Sequence, residues 1–204
     1  MHLTHAISHE VYMAKLSFFY SAMNAGKTTN LLQSAYNYRE RGLTPLIFAP
    51  SSNTRDGVGV VQSRIGIQAD AHVFSAQCDL LERVKKHARV DCVFVDEAQF
   101  LTPAQVLQLT QVCDELDVPV MAYGLRTDFR GEPFAGSVYL LAWADELIEV
   151  VTVCRTGKNA TMSARLNSEG ERVASGEQVD VGFHYTPMSR GLFNLPSVSP
   201  VAKS

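Results

Sequence analysis

What the sequence lacks narrows its class first. It has no uninterrupted apolar run of 18 residues, so no membrane-spanning helix is expected. Its four cysteines, Cys78, Cys92, Cys113 and Cys154, stand far apart along the chain. That excludes both a disulfide framework and a paired metal knuckle, and suits a reducing cytoplasm. Cys92 and Cys113 lie among apolar neighbours and read as small buried hydrophobes. An excess of basic charge is also missing. Eighteen Lys and Arg stand against 21 Asp and Glu, for a formal charge of −3, which disfavours a protein that coats nucleic acid. The opening MHLTHAISHEVY has neither the cationic start nor the apolar centre of a signal peptide. Residues 1–13 read as a flexible extension ahead of the first strand.

What is present is an ordinary globular balance, 46% hydrophobic and 19% charged over 204 residues. That length predicts one domain with a small appendage. Apolar segments at 15–20, 45–50, 72–74, 90–97, 118–125 and 147–154 read as strands. Between them, 27–42, 78–88, 102–116 and 137–144 carry helical spacing, with Gly42 as a stop and Thr102-Pro103 as a helix start. Residues 51–66 look loop-like. Strands that are apolar along their whole length, alternating with helices, predict an α/β domain with a parallel sheet covered on both faces. This domain spans 14–152. From 153 to 192 apolar residues thin out and Gly and Ser multiply, predicting a small β-rich domain; residues 193–204 read as a flexible tail.

The strongest chemical signal is Ser21-Ala22-Met23-Asn24-Ala25-Gly26-Lys27-Thr28, between a predicted strand and helix. A glycine-bearing loop there wraps phosphates in backbone N–H groups, and the helix N-terminus adds positive potential. Gly26 is expected to allow close backbone approach, Lys27 to neutralise β/γ-phosphate charge, and the Thr28 hydroxyl to ligate Mg²⁺. Ser21 replaces the first glycine of the strict pattern. The second signal is Asp96-Glu97 at the end of an apolar strand. Ligands bind at the carboxyl ends of such strands. Asp96 suits Mg²⁺, through water; Glu97 suits a general base. In the third, residues 125–134, Phe129 and Phe134 either form a flat slot for a base or tuck into the core. Arg126 and Arg130 are candidates to meet phosphate.

Together, SAMNAGKTT, VDEAQF and YGLRTDFRGEPF, with TVCRTGKNATMSARL and GEQVDVGF further on, resemble the type II thymidine kinases of bacteria. The resemblance runs from about residue 14 to about residue 190 and implies a RecA-like P-loop fold with a C-terminal lasso domain. It implies transfer of the ATP γ-phosphoryl group to the 5′-hydroxyl of thymidine or deoxyuridine in nucleotide salvage. A homotetramer and feedback inhibition by dTTP come with it. By position, Glu97 matches the catalytic base. Residues 21–28, Asn53, Arg55, Asp96 and Gln99 match the ATP site, although the family usually has aspartate where Asn53 stands. Met23, Phe100, Leu125, Phe129 and Phe134 match the thymine pocket. Gln178, Val179, Asp180, Val181, Gly182 and Tyr185 match the lasso that closes over the nucleoside. The family's zinc site is not matched. Only Cys154 survives, its partner position reading Thr156 or Gly157 and the second pair falling near Ser189 and Leu192. One thiolate cannot hold a four-coordinate zinc, so none is expected. The lasso is then expected to order mainly through substrate and subunit contacts.

A nucleic-acid-dependent ATPase is the main alternative, because similar DEAQ boxes occur in helicases. A nucleotide-sensing module without turnover is a third reading.

Overall fold

A computed structural model describes residues 13–51, 59–178 and 184–195. The expectations at Asn53, Arg55, Val179, Asp180, Val181 and Gly182, and for most of both termini, lie outside the described residues. Strands β1 (Leu16–Ser21), β2 (Pro45–Pro50), β5 (His72–Phe74), β6 (Cys92–Val95), β7 (Val120–Leu125) and β8 (Glu146–Glu149) form one sheet, ordered β5-β2-β6-β7-β1-β8. Every neighbouring pair in it is parallel. Alternate residues divide between two cores. Leu16, Phe18, Leu46, Phe48, Val93, Val95, Val120 and Ala122 face one side, where Val106, Leu109 and Val112 of α3 (Pro103–Leu116) and Leu140 of α4 (Ala135–Trp143) cover them. Ile47, Ala49, Cys92, Phe94 and Tyr123 face the other, against Leu31, Leu32 and Ala35 of α1 (Lys27–Glu40). Covering both faces is why these strands carry no polar alternation.

Helix α3 starts as its sequence predicts. The Thr102 hydroxyl accepts the Gln105 N–H at 3.2 Å, and the Gln105 side-chain oxygen accepts the Thr102 N–H at 3.0 Å. Gln105 also donates through Nε2 to the Ser75 and Cys78 carbonyls at 2.8 and 3.0 Å. One buried amide thus caps α3 and ties it to the loop before α2 (Leu80–Lys85).

Several boundaries differ from the pattern reading. The segment 51–66 is not all loop. Val60–Gln62 (β3) pairs antiparallel with β4 (Gln68–Asp70) around a turn in which the Gly66 N–H bonds the Ser63 carbonyl. The predicted strand at 90–97 stops at Val95, because the chain turns at Glu97. The predicted strand 147–154 pairs only over Glu146–Glu149. As an edge strand β8 alternates in exposure, unlike the doubly covered interior strands, and Val151 and Val153 beyond it are exposed. The helix expected over 78–88 is only the short α2.

The C-terminal part forms a three-stranded antiparallel sheet, ordered β10 (Arg172–Val173), β9 (Met162–Leu166), β11 (His184–Met188). A short helix α5 (Arg190–Phe193) follows, which the sequence pattern does not announce. Its core is small: Ala164, Met188 and Phe193, with Met162 and Leu166 against them. No helix among the described residues is long and apolar enough to cross a membrane.

Thr102→Ala should lower the unfolding free energy by about 1 kcal/mol through loss of the cap. Gln105→Leu should cost more, because two further carbonyls lose their donor, each worth about 1–3 kcal/mol when buried. Urea unfolding of the two variants beside the parent checks the ranking.

Candidate active site

The carboxyl ends of β1, β6 and β7 bring the predicted motifs to one edge of the sheet. After β1 the chain turns through residues 22–26 and enters α1 at Lys27. Gly26 has φ +84°, and a Cβ placed on it meets nothing within 4 Å. The left-handed torsion by itself favours glycine there. Lys27 is buried, and its Nζ donates to Ser21 Oγ at 2.9 Å and to the Ala22 carbonyl at 3.0 Å. Burial lowers its pKa, while the Glu97 and Asp96 carboxylates act to raise it. Ser21 and Ala22 thus sit beneath the loop, as acceptors for the lysine.

The Thr28 hydroxyl donates to both Asp96 oxygens, at 3.2 and 3.4 Å. Burial, and then the neighbouring Glu97 charge, push Asp96 up to about 7. This adjacent hydroxyl and carboxylate supply the oxygen donors that Mg²⁺ prefers, and a bound cation would hold Asp96 ionised. Met23, Asn24, Ala25, Gly26, Lys27 and Thr28 line a cavity of about 280 Å³, together with Glu97. Its far wall is Gln62, Ser63, Arg64 and Ile65, from the β3–β4 hairpin. The sequence reading misses this wall; the alternation on either side of Gly66 is the available signal.

Glu97 sits at φ 48°, ψ 44°, a left-handed conformation that a non-glycine residue rarely adopts. It ends the run of β6 and starts a 3₁₀ turn at Ala98–Phe100. The turn is pressed against α4. A Cβ on Gly136 would meet the Ala98, Gln99 and Leu101 carbonyl oxygens at 2.7–2.9 Å. Gln99 donates through Nε2 to Glu97 Oε2 at 2.5 Å, and its Oε1 accepts the Leu125 N–H at 3.0 Å. Gln99 does not line the phosphate-loop cavity, which departs from its expected place in the ATP site. It lies on the other side of Glu97.

On that side is a second cavity, of about 220 Å³. Met23, Phe100, Leu125, Phe129, Phe134, Gln178 and Tyr185, which the resemblance assigns to the nucleoside, all line it, with Glu97 and Gln99. Phe129 and Phe134 are therefore buried and pocket-lining at once; Phe100 meets Phe134 edge-on at 5.8 Å. Pro50, Thr127, Asp128 and Ser163 complete the wall and are not singled out as site residues by the sequence. The small domain closes on the phosphate loop directly. Ser163 Oγ accepts the Met23 N–H at 2.9 Å, and Asn24 Nδ2 donates to the Tyr185 carbonyl at 3.2 Å.

Arg126 and Arg130 are not at the phosphate loop. Arg126 lies 5.0 Å from the centre of the Tyr20 ring and donates to the Thr161 carbonyl. Arg130 pairs with buried Asp128 at 2.8 Å. Burial alone would raise Asp128, but bonds from the Arg130 guanidinium and from the Arg130 and Glu132 N–H groups, with one from Gln178, hold it below its ordinary value. At the corner where the resemblance expects metal ligands, Cys154 Sγ meets the Thr156 hydroxyl at 3.1 Å. Ser189 there caps α5, its hydroxyl accepting the Leu192 N–H. Bonds from Thr156 chiefly, and from the Ser189 and Lys158 backbone, lower the Cys154 thiol to about 6. His184 is exposed and lines neither cavity.

The family model described as thymidine kinase matches residues 14–188. A thymidine kinase of Xanthomonas campestris is 54% identical over 187 residues, 89% of this chain and 90% of that one. One from Rhodopirellula baltica is 56% identical over 173 residues, 83% of this chain and 82% of its own. One from Shewanella oneidensis is 54% identical over 173 residues, 83% and 90% of the two chains. A large terminase from a thermophilic bacteriophage superposes with a TM-score of 0.41 at 14% identity, over 71% of this chain and 42% of that one, too slight a likeness to carry an argument.

Asp128, held below the ordinary carboxylate value of 3.8, contributes stability that is present above that value and lost as pH falls through its folded one. Asp128→Asn should therefore melt below the parent at neutral pH, and the gap should close as pH falls below about 4. Thermal melts across that range give the comparison.

Proposed function

This chain belongs to the thymidine kinase family, and from that premise we propose that it moves the γ-phosphoryl group of ATP to the 5′-hydroxyl of thymidine or deoxyuridine. The observation that carries the proposal is that Glu97 lines both cavities at once. On one side is a loop built for phosphates; on the other is an apolar slot of the size and chemistry of a pyrimidine. The 5′-oxygen of a nucleoside in the slot, facing the loop, would have Glu97 as its nearest base. As the bond from that oxygen to the γ-phosphorus forms, the bond between γ-phosphorus and the β–γ bridging oxygen breaks. ADP leaves, and the hydroxyl proton passes to Glu97.

The other residues take supporting roles. Lys27 exchanges its loop acceptors for phosphate oxygens, and the amides of residues 22–28 surround the triphosphate. Thr28 and Asp96 would hold Mg²⁺, which supplies neutralisation of the triphosphate charge when bound. Gln99 holds the Glu97 carboxylate through Nε2 while its Oε1 accepts the Leu125 N–H. Met23, Leu125 and the three phenylalanines enclose the base. Gln178 and Tyr185 bound it on the side of the small domain.

The resemblance further supports a cytoplasmic homotetramer inhibited by dTTP, with no nucleic-acid or membrane partner. The nucleic-acid-dependent ATPase reading is not favoured. The thymidine kinase family match over residues 14–188 speaks against it.

The family's zinc does not fit this chain. A thiol bonded to a hydroxyl, a helix-capping serine and a leucine do not make four ligands. We propose that no structural zinc binds here.

Glu97→Gln should lower kcat for thymidine by about 10²–10⁴-fold with the fold intact, the range for losing a general base. An effect within a few-fold in a steady-state assay would remove Glu97 from that role. Elemental analysis should find zinc well below one equivalent, and EDTA should leave the melting temperature unchanged; stoichiometric zinc would contradict the zinc-free assignment.

A further inference from the structure

Arg165, on β9, is the largest side chain among the described residues that is almost wholly buried, with 1% of its surface exposed. Withdrawing a guanidinium from water is costly and persists only where its donors are well placed. The phosphoryl-transfer proposal does not use it. Its carbon centre lies 3.7 Å from the centre of the Phe129 ring. Its Nε donates to the Tyr185 hydroxyl at 3.0 Å, and its Nη2 donates to the Glu177 carbonyl at 2.7 Å.

These contacts share a destination. Phe129 and Tyr185 line the apolar cavity, and Glu177 immediately precedes Gln178, which lines it too. Phe129 comes from the loop after β7, Tyr185 from β11, and Glu177 from the segment after β10. Three stretches remote in sequence are thus fastened to one planar cation.

We infer that Arg165 is a positioning residue for the nucleoside: it fixes the plane of the Phe129 ring and the place of Tyr185 and the 177–178 backbone, so that the slot is formed before the base arrives. The inference rests on reading the apolar cavity as the base site. It requires arginine, because a flat guanidinium can cover a ring while its edge donates to two separate acceptors. An ammonium group is compact and cannot do both. The effect is expected on the nucleoside side, since Phe129, Gln178 and Tyr185 line the apolar cavity and none of them lines the phosphate-loop one.

The test is steady-state kinetics on the full chain, varying thymidine and ATP separately, for Arg165→Met, Arg165→Lys and Tyr185→Phe. Arg165→Met should raise the thymidine KM by about ten- to a hundred-fold, the range for losing hydrogen bonds to a charged group. The ATP KM should stay within about two-fold, and Arg165→Lys should fail to restore the parent value. Tyr185→Phe keeps the ring but removes one acceptor, and should raise the thymidine KM in the same direction by less. An unchanged thymidine KM in Arg165→Met overturns the inference, as does a parallel rise in both KM values or full rescue by lysine. If the methionine variant does not fold, Tyr185→Phe decides, and an unchanged thymidine KM there overturns it. Parent turnover of thymidine with unaffected variants removes only the Arg165 inference; no parent turnover removes the base-site reading as well.

Discussion

A buried ammonium and two carboxylates meet where β1 and β6 end. Burial works against the charge on Lys27, and Asp96 and Glu97 work for it. The same burial pushes Asp96 toward its neutral form, with Glu97 adding to the push. The buried ammonium is thus tolerable beside the two carboxylates, which it helps to hold together. The sheet provides the setting: apolar strands under helices on both faces keep water from the ends of β1 and β6, where fixed charges act strongly. A triphosphate and a divalent cation are the kind of ligands such a cluster accommodates, since together they add charge of both signs.

From that cluster the two cavities diverge, and Glu97 stands at their junction because of one backbone feature. The left-handed turn ends β6 and starts the 3₁₀ turn that α4 backs through Gly136. A residue in a sparsely populated conformation persists only where its surroundings over-determine it. Here Gln99 grips the carboxylate while α4 presses on the carbonyls.

Much of this is legible in local pattern. The unbroken apolar strand at 45–50, the short strand at 72–74, the Thr102-Pro103 start and the loop before Lys27 each depend on residues within a few positions, and the structure places them there. So does the family resemblance, whose pocket residues Met23, Phe100, Leu125, Phe129 and Phe134 line one cavity. What is not legible depends on partners far along the chain. Arg126 and Arg130 look available to phosphate because Thr161, Tyr20 and the depth of Asp128 are not visible in a ten-residue window. Ser163 and Arg165 sit in an unremarkable strand and become meaningful only where β9 meets the phosphate loop and Phe129. The small domain has few apolar residues to hold it, and polar contacts take their place. Arg172 stacks 3.7 Å from the centre of the Phe193 ring and donates to its carbonyl, while Ser163 and Tyr185 fasten the domain to the loop.

The position of β1 has a consequence for how the chain is made. The earliest strand of the large sheet among the described residues, β1, lies between β7 and β8, which are the last two of that sheet along the chain. Until Val120–Leu125 and Glu146–Glu149 emerge, Leu16 and Phe18 have no neighbours to pair with, and their apolar faces stay open to chaperones or to other nascent chains. Such distant pairing is intrinsically slow. The loop between β1 and α1 therefore gains its full setting only after most of the sheet has been made.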